Sequence, residues 1–174
     1  MSNLVPLYAS MAAEGTQFFG LSIKQHEKTI RKLVRRTQAV TILDYGCGRG
    51  DAWGNGSKLY QDLGLKRKDI TLYDPAFPAV SRPVAADRKF DGVLCSDVLE
   101  HIPEEHVEAF IDRLFGHARK FVWASVCCRL AKKTFPDGTN VHVTVRPYDW
   151  WLDRMHAANA RLISPVEFCL TETP

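Results

Sequence analysis

The sequence I-L-D-Y-G-C-G-R-G, residues 42–50, decides the fold of this chain. The apolar, β-branched run from Val40 to Leu43 predicts a short strand that ends before Gly46. Glycines at positions 46, 48 and 50 allow backbone conformations that other residues disfavour, so we expect an irregular loop after the strand. In α/β folds ligands bind beyond the carboxyl ends of parallel strands, which places a candidate site at this loop.

Strands and helices alternate along the rest of the chain. Further strands are predicted at residues 70–73, 90–95, 120–127 and, interrupted by Pro165, 162–170. Helices are predicted at residues 22–37, with Ser22 as the N-cap, and at residues 103–118 and 148–159. This order predicts an α/β fold, a three-layer sandwich with a mainly parallel sheet and helices on both faces.

The composition is that of a single soluble domain over residues 1–174, with residues 1–20 as an N-terminal arm. Of the 174 residues, 45% are hydrophobic and 25% are charged. No apolar run reaches the roughly 20 residues of a membrane helix, and the first residues lack a secretory signal. We therefore expect a cytoplasmic protein that has no membrane partner. The five cysteines lack paired metal spacing and are expected to be reduced thiols.

Asp44 limits the kinds of ligand that the glycine loop would bind. A carboxylate two residues before Gly46 would repel a pyrophosphate, which argues against a nicotinamide dinucleotide. The glycine spacing, G-x-G-x-G, also differs by one position from the dinucleotide fingerprint. A carboxylate instead suits a ligand that carries an ammonium group and no phosphate, such as S-adenosylmethionine.

Three motifs in order carry a family resemblance. They are L-D-Y-G-C-G-R-G, then Asp74 in T-L-Y-D-P, and F-D-G-V-L-C-S-D-V-L-E-H-I-P at residues 90–103. Over about residues 40–128 the chain resembles the class I S-adenosylmethionine-dependent methyltransferases, which implies a Rossmann-like fold and methyl transfer with S-adenosylhomocysteine as the product. The resemblance implies that Asp44 faces the ammonium group and that Asp74 binds the ribose. The other implied cofactor positions are Tyr45, Gly46, Cys47, Gly48, Pro75, Ser96, Asp97 and Val98.

The chain departs from the family pattern after Asp74. Only residues 75–89 separate Asp74 from the next predicted strand. Because this is too short for a helix followed by a strand, we expect a compact variant with a vestigial third strand.

The sequence lacks the motifs of two classes of DNA methyltransferase, which limits the possible methyl acceptors. Ser96-Asp97-Val98-Leu99 stands where DNA amino-methyltransferases carry Asp/Asn-Pro-Pro-aromatic, and neither Cys127 nor Cys128 follows a proline as in the cytosine-C5 enzymes. DNA is therefore not the expected partner. We expect a small-molecule acceptor, held by residues 1–20 and 129–151. The alternatives are RNA ribose 2′-O-methylation and a non-catalytic module that binds S-adenosylmethionine.

Two histidines are candidates for the chemistry. Asp97, Glu100 and His101 form D-x-x-E-H, and His142 follows later. This arrangement resembles the small-RNA 3′-terminal ribose methyltransferases, which implies a divalent metal on Asp97, Glu100, His101 and His142. In many metal-free small-molecule methyltransferases L-E-H-I serves packing and the substrate pocket instead. His101 or His142 is the expected catalytic base.

Overall fold

The computed structural model describes residues 4–15, 17–54 and 56–173. Its helices are α1 (Val5–Ala13), α2 (Glu27–Thr37), α3 (Leu59–Asp62), α4 (Glu104–His117) and α5 (Tyr148–Ala160). Its strands are β1 (Ile42–Tyr45), β2 (Ile70–Tyr73), β3 (Phe90–Ser96), β4 (Ala118–Cys127) and β5 (Glu167–Thr173). Short 3₁₀ turns connect them, of which Leu99–His101 matters most for the site.

The five strands form one parallel sheet in the order β2-β1-β3-β4-β5. The chain moves outward from β1 to β2, then crosses back to place β3 on the other side of β1. The strand order therefore reverses between β1 and β3, and ligands of such sheets bind at this point beyond the carboxyl ends. The parallel α/β fold that the sequence predicts is confirmed.

Side chains of alternate strand residues enter two different cores. Leu43 and Tyr45 of β1 lie in the core with α4 and α5, whereas Ile42 lies in the core with α2 and α3. Helices thus cover both faces, as a parallel sheet requires. The two buried layers hold the sheet rigid, so the strand ends present their side chains from fixed positions.

The chain between β2 and β3 has only a 3₁₀ turn, Pro78–Val80, and within these described residues no strand or helix. β2 is consequently an edge strand, which confirms the prediction of a vestigial third strand. On the α4 face this short connection borders a groove of about 410 Å³, lined by Tyr45, Tyr73 and Arg113 among others.

The start of β1 differs from the prediction by two residues. Val40 is 56% exposed, and its N–H donates to the Asp91 carboxylate at 2.8 Å. The N–H of Thr41 donates to the same carboxylate at 3.4 Å. A side chain therefore caps the backbone there, and pairing with β2 begins at Ile42.

Two other predicted boundaries were also wrong. Ser22 begins a 3₁₀ turn and not an α-helix, and its hydroxyl lies 3.0 Å from the hydroxyl of Ser96 instead of capping a helix. β5 begins only at Glu167, because the Asn159 side chain holds both the N–H and the carbonyl of Val166 in a turn, each at 2.9 Å.

A third, smaller core lies apart from the two faces of the sheet. It contains Met11 from α1 together with Phe135 and Val141 from the segment after β4, and Tyr8 and Phe18 pack against it. This core holds the N-terminal arm on residues 129–147. No helix of the described chain is long and apolar enough to cross a membrane.

Candidate functional site

Asp44 is a buried carboxylate near the end of β1, 2% exposed. The indole Nε1–H of Trp53 donates to its Oδ2 at 2.6 Å, while Oδ1 has no hydrogen-bond partner among the described residues. Burial raises the pKa of Asp44 to about 7. An unpartnered buried oxygen is costly, so the position suits a ligand that brings a donor.

The glycine loop after β1 is held against two neighbouring segments. The backbone N–H groups of Gly46 and Cys47 donate to the Tyr73 carbonyl at 2.7 and 3.2 Å. Gly46 has φ +90°, and a Cβ there would lie 2.4 Å from a methyl carbon of Val98. Only glycine allows this approach, which brings the β1 loop against the loop after β3.

Asp74 directly follows β2 and its carboxylate joins the glycine loop. The N–H of Gly48 donates to Oδ2 and the N–H of Ala76 to Oδ1, each at 2.9 Å. Burial raises the pKa of Asp74, and these two hydrogen bonds oppose that rise. Each oxygen keeps a further lone pair, so the carboxylate remains able to accept hydroxyl donors. Pro75 follows it in the turn that Ala76 closes.

The end of β3 is fixed by a polar network. Asp97 has φ +53°, a left-handed conformation that is rare outside glycine. Its Oδ1 accepts from the hydroxyls of Ser125 at 2.7 Å and Thr173 at 3.2 Å. The Ser96 hydroxyl lies 3.0 Å from that of Ser22. These bonds tie the β3 end to β4, β5 and the 3₁₀ turn that begins at Ser22, and Val98 follows in contact with Gly46.

His101 lies where the arm and the segment after β4 meet. Its Nδ1 is 2.9 Å from the Val141 carbonyl, which also accepts from the Tyr8 hydroxyl at 2.8 Å. Since a carbonyl only accepts, Nδ1 carries the proton and Nε2 of the neutral ring keeps its lone pair. Burial lowers the pKa of His101 to about 4, which keeps the ring neutral.

Glu100 and His142 lie beside this histidine. The rings of His101 and His142 are 5.0 Å apart between centroids, and His142 Nδ1 is 2.7 Å from the Arg129 carbonyl. Glu100 is fully buried, and its Oε1 accepts from the Cys127 N–H at 3.1 Å. Burial raises its pKa to about 8.

The metal set expected from the sequence is brought together only in part. Ligand atoms of Glu100, Cys127 and His142 lie within 4.8 Å of one another. Among the described residues this group includes neither Asp97, whose Oδ1 is bonded to Ser125 and Thr173, nor His101.

Sequence reasoning missed two residues that contact the site, Trp53 and Cys127, and it placed Tyr8 only within the arm of residues 1–20. Cys127 carried a signal, because it ends a long apolar run predicted as the strand beside β3, and adjacent parallel strands end at the same edge. Trp53 and Tyr8 carried no such signal. The partner of Tyr8, Val141, is far away in sequence, and Trp53 reaches Asp44 across an irregular loop.

Comparison with protein families identifies the family of the chain. A model of the methyltransferase domain matches residues 10–164. The chain belongs to this methyltransferase domain family. It is an S-adenosylmethionine-dependent methyltransferase, with S-adenosylmethionine as the methyl donor and S-adenosylhomocysteine as the product. Comparisons with curated proteins and with solved structures give no significant match.

The residues of this chain fit the methyl donor. The ligand carries an ammonium group and a sulfonium, and the site offers the unpartnered Oδ1 of Asp44 as a buried acceptor. Asp74 holds free lone pairs next to the glycine loop, where a ribose offers two hydroxyl donors. The missing side chains at Gly46 and Gly48 serve the packing of this loop, because a Cβ at either position would meet Val98 or the Phe18 carbonyl.

Proposed function

We propose that this methyltransferase acts on a small-molecule acceptor held between α1, the Leu99–His101 turn and residues 129–147. The observation that carries the proposal is the meeting of α1 and the later segment at His101. Tyr8 and Val141 contact each other and the histidine there, and Phe135 packs on Tyr8 with ring centroids 5.1 Å apart. Such a roof favours a compact acceptor over a long polymer.

The positions of the two carboxylates suggest which part of the cofactor each residue would contact. Asp44 Oδ1 would accept from the ammonium group, and Asp74 would accept from the ribose hydroxyls. The backbone of Tyr45, Gly46, Cys47 and Gly48 would support the amino-acid tail. Pro75 would border the adenine, and Ser96, Asp97 and Val98 would border the methyl group.

Methyl transfer is an in-line displacement, so the chain mainly positions the acceptor. The cofactor supplies an electrophilic methyl carbon on a sulfonium. The acceptor's lone pair forms the new bond to that carbon while the carbon–sulfur bond breaks and its electron pair stays on sulfur. His101 Nε2, unprotonated in the neutral ring, would take the proton that the acceptor loses. His142 is the second candidate base, since its Nδ1–H also bonds a carbonyl.

A specific observation keeps RNA as the second candidate acceptor. Arg129, Lys132 and Lys133 are exposed on the segment that forms one wall of the acceptor side. Phosphate contacts by such side chains would position an RNA 3′ end.

Labelling separates the two acceptor classes. The protein is incubated with methyl-labelled S-adenosylmethionine and either a metabolite extract below about 1 kDa or total cellular RNA. We expect label in the small-molecule fraction. His101→Ala should reduce the rate by roughly 10²–10⁴-fold with unchanged cofactor affinity. His156→Ala, on the exposed side of α5, serves as the control. Label in RNA, or in neither fraction, would overturn the proposal.

A further inference from the structure

Glu100, Cys127 and His142 form a cluster outside the cofactor residues. They come from three separate elements: the 3₁₀ turn after β3, the last position of β4 and the segment that follows β4. One ligand atom from each lies within 4.8 Å of the others. Residues so far apart in sequence converge only because β3 and β4 end side by side.

The Glu100 carboxylate of this cluster has one oxygen without a hydrogen-bond partner among the described residues. Its Oε1 accepts from the Cys127 N–H, but Oε2 is buried and has no hydrogen-bond partner in the described chain. The residue is 0% exposed, so water does not replace the missing donor at the surface. A buried carboxylate oxygen without a partner is strongly unfavourable, and a bound cation would satisfy it.

The Arg129 carbonyl holds the other two side chains. It accepts from His142 Nδ1 at 2.7 Å, and the Cys127 thiol lies 3.8 Å from it. Because Nδ1 donates, Nε2 of the neutral His142 ring has the free lone pair. Histidines that bind metals are oriented in this way, with the remote ring N–H bonded to a carbonyl or carboxylate.

We propose that Glu100, Cys127 and His142 bind a zinc ion. A thiolate, an imidazole and a carboxylate are the ligands of zinc, whereas magnesium and manganese prefer oxygen. Zinc ligands lie about 2.0–2.3 Å from the ion, which puts tetrahedral ligand pairs roughly 3.5 Å apart. Side-chain rotation closes the remaining distance, and the Cys127 proton is released as the metal binds.

The site reaches the acceptor side of the enzyme through His142, whose ring packs against His101. Zinc on Nε2 of His142 would exclude this histidine as a base and leave that role to His101. Three protein ligands leave the fourth tetrahedral position open to a water or to a polar atom of the acceptor. The zinc site itself does not depend on which acceptor is methylated, so it stands or fails separately from the proposed function.

The test uses the full chain, stripped of metal with a chelator and dialysed. Zinc alone is titrated by calorimetry, and cobalt replaces it for spectroscopy because a thiolate ligand gives an ultraviolet charge-transfer band. We expect one ion per chain and the charge-transfer band in the wild-type protein. Cys127→Ser should abolish the band and weaken zinc by more than the roughly 10–100-fold that losing an outer partner costs.

Cys128→Ser is the matched control, since it changes the neighbouring thiol and should leave zinc affinity and the band unchanged. Cys127→Ser keeps the size of the side chain and the backbone bond to Glu100, and circular dichroism checks that it folds. His142→Asn provides a second variant with the same expected loss. No zinc binding to the wild type, or a band that survives Cys127→Ser, would overturn the proposal. So would zinc affinity that Cys128→Ser abolishes.

Discussion

Asp44 leaves one carboxylate oxygen bonded to the Trp53 indole and the other without a donor in the described structure. Burial raises the pKa of this carboxylate to about 7. Hydrogen bonds to the ionised form lower the pKa of a carboxylate, so a donor on each oxygen of Asp44 would not leave so high a value. The residue is thus prepared for a cationic partner that the fold itself does not supply.

Asp44→Asn should weaken S-adenosylmethionine binding by about 2–3 kcal/mol, roughly 30–150-fold, because a charge-assisted bond to the ammonium group is lost. The amide keeps the size of the side chain and can still accept from Trp53. Calorimetry on the folded variant measures the change. Asp51→Asn removes an exposed carboxylate on the same loop and should leave affinity unchanged. Equal affinity of Asp44→Asn and the wild type would place the ammonium group elsewhere.

Asp74→Asn tests the ribose contact through a ratio of affinities. A carboxylate that accepts from both ribose hydroxyls rejects a 2′-deoxyribose analogue, since a lone pair then loses its partner. The amide has one acceptor oxygen fewer. Its NH₂ group would face the backbone N–H of either Gly48 or Ala76, and two donors cannot form a hydrogen bond with each other. The variant should therefore bind more weakly overall and discriminate less between the two ligands. Undiminished discrimination would show that another residue reads the ribose.

At the scale of elements, the local sequence pattern predicts a strand well where its backbone hydrogen bonds go only to neighbouring strands. β2 has the predicted bounds, Ile70–Tyr73, and α5 extends the predicted helix by one residue. Residues 141–145 alternate like a strand but are not one. Thr144 donates its N–H to the Glu100 carbonyl at 3.1 Å and its hydroxyl to the Ile102 carbonyl at 2.7 Å. Tertiary contacts with a turn override the alternation there.

The site likewise contains residues that local pattern predicts and contacts that depend on tertiary structure. Carboxylates at strand ends, such as Asp44 and Asp74, were visible in the sequence because parallel strands align their ends. The contact of Trp53 with Asp44 depends on how residues 51–69 fold, and that of Tyr8 with Val141 on where the arm docks. Neither has a local signature, so no periodicity or motif predicts it.

The docking of the arm on the glycine loop is itself testable. Gly48 has φ +56°, and a Cβ there would lie 2.3 Å from the carbonyl oxygen of Phe18. Gly48→Ala should displace residues 17–20, lower the free energy of unfolding by about 1–3 kcal/mol and weaken cofactor binding. Denaturant unfolding and calorimetry measure the two effects.

Gly116→Ala is the control for that substitution. Gly116 is helical and a Cβ there meets nothing within 4 Å, so the same change should stabilise α4 by about 0.5–1 kcal/mol. A Gly48→Ala protein as stable as the wild type, with full cofactor affinity, would contradict the docking of the arm.

At the scale of the whole molecule, charge is distributed unevenly. The chain has a formal net charge of +3, yet four acidic residues lie at the carboxyl ends of the neighbouring strands β1, β2 and β3: Asp44, Asp74, Asp97 and Glu100. S-adenosylmethionine carries two positive groups and one carboxylate, and its product lacks the sulfonium charge. We therefore expect this acidic site to attract the charged donor and to bind the neutral product less strongly.

Proton linkage at Asp44 makes this complementarity measurable. The pKa of about 7 in the free folded protein exceeds the ordinary 3.8, so ionisation costs stability as pH rises from about 4 to 7. A bound ammonium group favours the ionised form and lowers that pKa. Cofactor binding then releases a proton below pH 7, and affinity should fall as pH falls, by at most about tenfold per unit. The ammonium group stays charged throughout this range, since its own pKa is about 8.

The thermal shift that saturating ligand produces reports this linkage without an acceptor. Between pH 7 and 5.5 the stabilisation by S-adenosylmethionine and by S-adenosylhomocysteine should shrink, because both carry the ammonium group. 5′-Methylthioadenosine lacks the amino-acid tail, so its stabilisation should change little with pH. In Asp44→Asn all three ligands should give pH-independent shifts. Glu100, whose pKa burial raises to about 8, also titrates near this range, but it lies outside the proposed cofactor contacts and should not change the shift that a ligand produces. A pH dependence shared by 5′-methylthioadenosine, or retained in Asp44→Asn, would assign the proton to another group.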